Sequence, residues 1–125
     1  SSPMTINLPI RLTCVKGIIP SYLAGANFEN SNLMDVDFSV CYLELCIFKN
    51  VSLNGADLRM CFLRGADFEG ANISNAKFKD LDGHPLSNLT EAQLRSAVWD
   101  KDAPPIVPER LSELVGRHER TGALD

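Results

Sequence analysis

Residues 55–74 read Gly55-Ala56-Asp57-Leu58-Arg59-Met60-Cys61-Phe62-Leu63-Arg64-Gly65-Ala66-Asp67-Phe68-Glu69-Gly70-Ala71-Asn72-Ile73-Ser74. A large apolar residue falls at every fifth place, with a small residue two places before it. Working outward in both directions, the large series is Leu23, Phe28, Leu33, Phe38, Leu43, Phe48, Leu53, Leu58, Leu63, Phe68, Ile73 and Phe78. The small series is Ser21, Ala26, Ser31, Val36, Cys41, Cys46, Val51, Ala56, Cys61, Ala66, Ala71 and Ala76. Gly or Asn closes most units, as at Gly25, Asn30, Asn50, Gly55, Gly65, Gly70 and Asn75.

A period of five fits neither ordinary element. On an α-helix five residues turn the side chain through about 500°, so the apolar position wanders round the cylinder. On a straight strand an odd period flips faces at each repeat. The pattern works if the chain bends once per unit. The small and large positions then both point inward as on a strand, and Gly or Asn takes the corner. Four such sides close a square coil that stacks on itself at about 4.8 Å, giving an all-β solenoid. The twelve large residues are its expected core.

The units Gly25-Ala26-Asn27-Phe28-Glu29, Gly55-Ala56-Asp57-Leu58-Arg59, Gly65-Ala66-Asp67-Phe68-Glu69 and Gly70-Ala71-Asn72-Ile73-Ser74 resemble the pentapeptide-repeat consensus. That resemblance implies a right-handed quadrilateral β-helix over residues 21–80, of about three to four coils at the spacing above. Before it, Leu8 and Ile18 keep the phase, but Thr13 takes a large position and Arg11 and Lys16 take small ones. Residues 1–20 therefore read as an N-terminal cap or an imperfect first coil. Residues 81–125 read as a short α-helical C-terminal cap and tail. Thr90 and Gln93 form a capping box, with Leu89 and Leu94 as its hydrophobic staple, opening a helix that runs to Val98 or Trp99. A second helix starts at Pro108 and shows Leu111, Leu114, Val115 and His118 on one face. Trp99 reads as the packing anchor of the cap.

A net charge of −4 is too mild and of the wrong sign for a chain that tracks phosphates, so direct nucleic-acid binding is not expected. Apolar runs of a few residues exclude a transmembrane helix, and no signal-peptide pattern opens the chain. Cys41 and Cys61 stack twenty residues apart at inward positions, with Cys46 on the next side, and read as small apolar filler. Cys14 lies outside the regular repeats. Buried, reduced cysteines point to the cytoplasm. His84 and His118 are isolated and no CxxC spacing occurs, so no metal or other cofactor is expected. Asp35, Asp37, Asp57 and Asp67 lie on convex outer faces, where no cleft shifts a carboxylate, and no catalytic triad is apparent. An enzyme is not expected.

Function, if it is legible, lies in the outward columns. Glu29, Lys49 and Glu69 form an ordinary solvated ladder. Tyr22, Tyr42 and Phe62 stack on one side, where the repeat ordinarily carries Asn or Asp. Val40 and Met60 flank that side at the corner before it, Leu45 at the corner after, and Ile47 begins the next side. Seven apolar residues thus form a contiguous outer face, of a kind seldom left wet. Residues 106–118 can cover it with Leu111, Leu114 and Val115; a second copy or a foreign protein is the other occupant, and monomer or homodimer stays open. The leading expectation is a protein-protein interaction or scaffold module. The resemblance implies two alternatives, a DNA mimic that inhibits or protects DNA gyrase and a structural module of a larger protein or a secreted bacterial effector. Against the mimic, residues 21–80 hold eight acids and five bases, a net of only −3.

Overall fold

The computed structural model of the chain describes residues 22–83, 89–118 and 123–124. The expectations attached to residues 1–20, to Ser21 and to His84 lie outside the described residues.

Within 22–83 the chain turns a corner every five residues. The corner residue stands in the left-handed region throughout, for example Gly25 at φ 78°, Asn30 at 65°, Asp35 at 60° and Gly70 at 68°. Each corner is closed by a turn hydrogen bond, such as Ala26 N–H to the Leu23 carbonyl at 2.9 Å. The short sides stack in parallel with partners twenty residues apart: Tyr22 with Tyr42, Tyr42 with Phe62, Asn27 with Ile47, Ile47 with Asp67. Donors run both ways between coils, as when Phe28 N–H donates to Ile47 O (2.8 Å) and Ile47 N–H to Ala26 O (2.9 Å). One amide per side, the one after the large residue, is left over by this ladder. An outward Asn or Asp accepts it: Asn27 from Glu29, Asp37 from Ser39, Asp67 from Glu69 and Asn72 from Ser74, at 2.9–3.0 Å. This local bond is why the unit carries a short polar residue there.

Sides this short yield few named strands. β1 (Asp57–Arg59) and β2 (Lys77–Lys79) pair in parallel, Leu58 opposite Phe78. The coil interior is filled by its own inward side chains. Phe28, Phe48 and Phe68 stack at centroid separations of 5.5 and 5.1 Å, and Phe38 and Phe78 meet them edge-on. Phe28 through Phe78 of the large series are buried, whereas Leu23 is only partly so.

Beyond the last coil the chain behaves differently from its sequence reading in one respect. α1 (Glu91–Ser96) opens on the Thr90 capping box, with Gln93 as its third residue. It stops at Ser96 rather than at Val98 or Trp99. Ala97 is extended, and Val98 pairs beside Asn72. The reason is the open edge of the last rung: Val98 N–H donates to Ala71 O (2.8 Å) and Ile73 N–H to Val98 O (2.9 Å). Two backbone bonds on a buried edge outweigh another half-turn of helix. Ala97-Val98-Trp99 thereby repeats the small–outward–large unit, with Ala97 and Trp99 buried. Ile106 does the same beside Lys77. Gln93 Nε2 donates to Ala66 O (3.1 Å) and Leu63 O (2.7 Å), standing in for the next rung. β3 (Trp99–Asp100) pairs in parallel with β4 (Ala123–Leu124). Between them, α2 (Glu109–His118) packs against α1 and buries Leu111 and Leu114. Arg110 ties it to Asp80 and to the Leu89 carbonyl.

Phe48 is the centre of the interior stack, with a ring on each side and no solvent route. Phe48→Ala should destabilise the fold by about 3–5 kcal/mol, read as a lowered midpoint in chemical denaturation. A loss under about 1 kcal/mol would contradict this account of the core.

Candidate interface on one side of the coil

The aromatic side is built by the same backbone with different outward residues. Tyr22 and Tyr42 stack at 4.4 Å with planes 12° apart; Tyr42 and Phe62 stack at 4.5 Å and 2°. The 20-residue rise of the coil sets this spacing, so the three rings form a continuous ladder. Proximity of Tyr22 raises the Tyr42 hydroxyl above its ordinary value, chiefly through charge repulsion between the two phenolates and then through desolvation. Aromatic side chains cannot accept the leftover amide, so Ala24, Glu44 and Arg64 lack the bond that Asn or Asp supplies on other sides.

The corners beside the ladder depart as well. Val40 (φ 63°), Leu45 (φ 61°) and Met60 (φ 59°) hold left-handed backbone without being Gly, Asn or Asp. Each costs roughly 1–2 kcal/mol over glycine, most for the β-branched Val40. Leu45 lies over Gly65, where an added Cβ would come within 2.7 Å of its Cδ2. Glycine at position 65 leaves that space to the Leu45 side chain. Tyr22 is 68% exposed, Leu45 66% and Met60 37%. Val40, Tyr42, Ile47 and Phe62 are half-buried.

Residues 106–118, one of the occupants left open for this face, pair elsewhere. Ile106 N–H donates to Ala76 O, and the Ile106 carbonyl accepts from Phe78 N–H, both at 2.8 Å. That pairing commits the segment to the end of the stack, where Leu111 and Leu114 join the main core and Val115 packs on it. The aromatic side keeps its exposure.

The inward cysteines are split. Cys46 and Cys61 are free and buried. Their thiols donate to corner carbonyls of the preceding coil, Cys46 to Leu23 O (3.0 Å) and Cys61 to Phe38 O (2.8 Å). Desolvation pushes Cys46 up to about 11 and Cys61 up to about 12. Cys41, equally buried, is disulfide-bonded and so is more than filler. On the adjoining side Arg59 grips Asp57 through two bonds of 2.8 and 2.9 Å and holds its carboxyl below the usual range. Among the described residues no group of three or more His, Cys, Asp or Glu is arranged to hold a metal, and no helix is long and apolar enough to cross a membrane.

The family model for pentapeptide repeats matches residues 21–50 and 46–80, with eight copies of the repeat. Among solved structures, the chain is similar to a pentapeptide repeat protein (Rfr23) from the cyanobacterium Cyanothece 51142, at 25% identity and a TM-score of 0.54. That likeness covers 70% of this chain, and the chain spans about half, 54%, of the other. No curated protein shows significant similarity.

Two outcomes follow from this geometry. Leu45→Gly relieves a strained corner while removing a side chain that is mostly in solvent, so stability should rise by about 1 kcal/mol in denaturant titration; a clear loss would show that the corner is not strained. The buried thiols favour the neutral form in the fold, since their values are raised from an ordinary 9. Their stabilising contribution is complete below about pH 9 and is lost as pH rises from there towards 11–12. Iodoacetamide at pH 8 should accordingly leave Cys46 and Cys61 unmodified in the native protein and label both in denaturant, as read by mass spectrometry.

Proposed function

The chain belongs to the pentapeptide-repeat family, and from that premise we propose that it is a non-enzymatic protein-protein interaction module. Its repeat is a right-handed coil of about three to four turns, closed at its C-terminal end by α1 and α2. It offers the aromatic side to another protein surface. A solenoid suits that task because its sides are flat and rigid without further ordering.

One observation carries the reading. Among the described residues, the side that gives up its polar outward column is also flanked by the bulky left-handed corners Val40, Leu45 and Met60. Backbone strain of this kind persists where the surface it supports has a use. Tyr, Phe, Met and Leu in one exposed patch are the composition of an interface core.

The DNA-mimic alternative asks for continuous acidic columns. Here Glu44 is followed in its column by Arg64, Asp57 is neutralised by Arg59, and Lys77 ends the column of Asp37 and Asp57. A structural role within a longer polypeptide is compatible with the interaction reading.

Tyr42→Asp/Phe62→Asp tests the proposal. Asp at these positions can accept the amides of Glu44 and Arg64, as Asp57 accepts that of Arg59 at 3.1 Å, so the variant should fold. It is expected to keep the circular dichroism of the wild-type chain and to lose at least tenfold in affinity for any bound protein. A folded variant that retains every interaction would overturn the reading.

A further inference from the structure

Beside the aromatic ladder, on the same side of the coil, runs a second outward column: Ala24, Glu44 and Arg64. Glu44 and Arg64 are successive rungs, joined through Leu45 N–H to Arg64 O at 2.9 Å. They carry opposite charges at the stacking distance, yet no ion pair forms between them. Glu44 Oε1 is shielded from solvent and has no hydrogen-bond partner, while Arg64 is exposed. A cavity of about 280 Å³ is lined by Glu44, Leu45 and Arg64. A shielded carboxylate oxygen without a partner is costly and asks for a cation. The side therefore has an unmet acceptor and an unused donor, one rung apart, next to an exposed apolar strip.

Resting on the interaction-module reading above, we propose that the partner of this side is a second copy of the chain. The two copies dock face to face and antiparallel, about a two-fold axis passing between the Tyr42 and Phe62 rungs. An axis lying across the coil inverts the order of rungs but keeps lateral position. Aromatic column then meets aromatic column, Tyr42 against Phe62 of the second copy. Charged column meets charged column, Glu44 against Arg64 of the second copy, and the symmetry makes the pair twice. Moving the axis onto the Tyr42 rung sets Glu44 against itself. A two-fold parallel to the coil sets aromatic against charged residues. The charge pattern thus selects one arrangement among the three. Three rungs span only about 14 Å at the inter-strand spacing, a smaller patch than the roughly 800 Å² per partner of standard interfaces. The dimer is therefore reversible, with a dissociation constant in the micromolar range.

Sedimentation equilibrium of the full chain, from about 5 to 500 μM, tests this. The mass should climb from 13.7 kDa towards twice that value. Glu44→Arg and Arg64→Glu should each raise the dissociation constant at least tenfold by setting like charges opposite. The double variant Glu44→Arg/Arg64→Glu should restore association, and so should an equimolar mixture of the two single variants. A mass fixed at 13.7 kDa at all concentrations overturns the second-copy inference; the interaction reading is then judged separately by Tyr42→Asp/Phe62→Asp. Dimers indifferent to both charge reversals, or singles that do not rescue each other, also overturn it.

Discussion

Every fifth backbone from Gly25 to Asn75 stands at a φ between 56° and 78°, and the rest of the molecule follows from that corner. A left-handed residue redirects the chain by about a right angle while leaving three extended residues on each side. The first and third point inward and the second points out, so a square tube with small and large fillers is the one way to bury both. Stacking by twenty then aligns like with like. Phe28, Phe48 and Phe68 stack inside as Tyr22, Tyr42 and Phe62 stack outside, for the same geometric reason.

What distinguishes the sides is how the leftover amide and the corner are handled. Where Asn or Asp stands outward and Gly or Asn at the corner, backbone satisfaction is local and strain is low. Gly70 stands at φ 68° beneath the Asn50 side chain, whose Oδ1 would have to move aside for a Cβ. The aromatic side forgoes both devices. Ring stacking returns about 0.5–1.5 kcal/mol per pair, which is of the same size as one strained corner. Three such corners and three unassisted amides make the aromatic side costlier than a side that carries Asn or Asp outward and Gly at its corners.

The five-residue register is legible in the sequence because corner, filler and outward residue are chemically distinct. The aromatic column is legible too, since Tyr22, Tyr42 and Phe62 follow from counting by twenty. The unit Ala97-Val98-Trp99 was hidden because α1 interrupts the period and the next unit, at Ile106, comes eight residues on. A capping box fixes where α1 starts, but its end is set by the bonds of Val98 to Ala71 and Ile73, which lie a whole coil earlier in the chain and leave no local signal. Glu44 and Arg64 look like ordinary surface charges in the sequence. Their importance lies in failing to meet, which only three dimensions reveal.

The local amide bond that Asn or Asp supplies on the other sides, and that the aromatic side lacks, can be probed by amide hydrogen exchange resolved by residue. Glu69 and Ser74 donate to Asp67 and Asn72, whereas Glu44 and Arg64 have no such acceptor. Corrected for intrinsic rates, Glu44 and Arg64 should exchange at least tenfold faster than Glu69 and Ser74 at the same depth in the coil. Equal protection across all four amides would contradict the account.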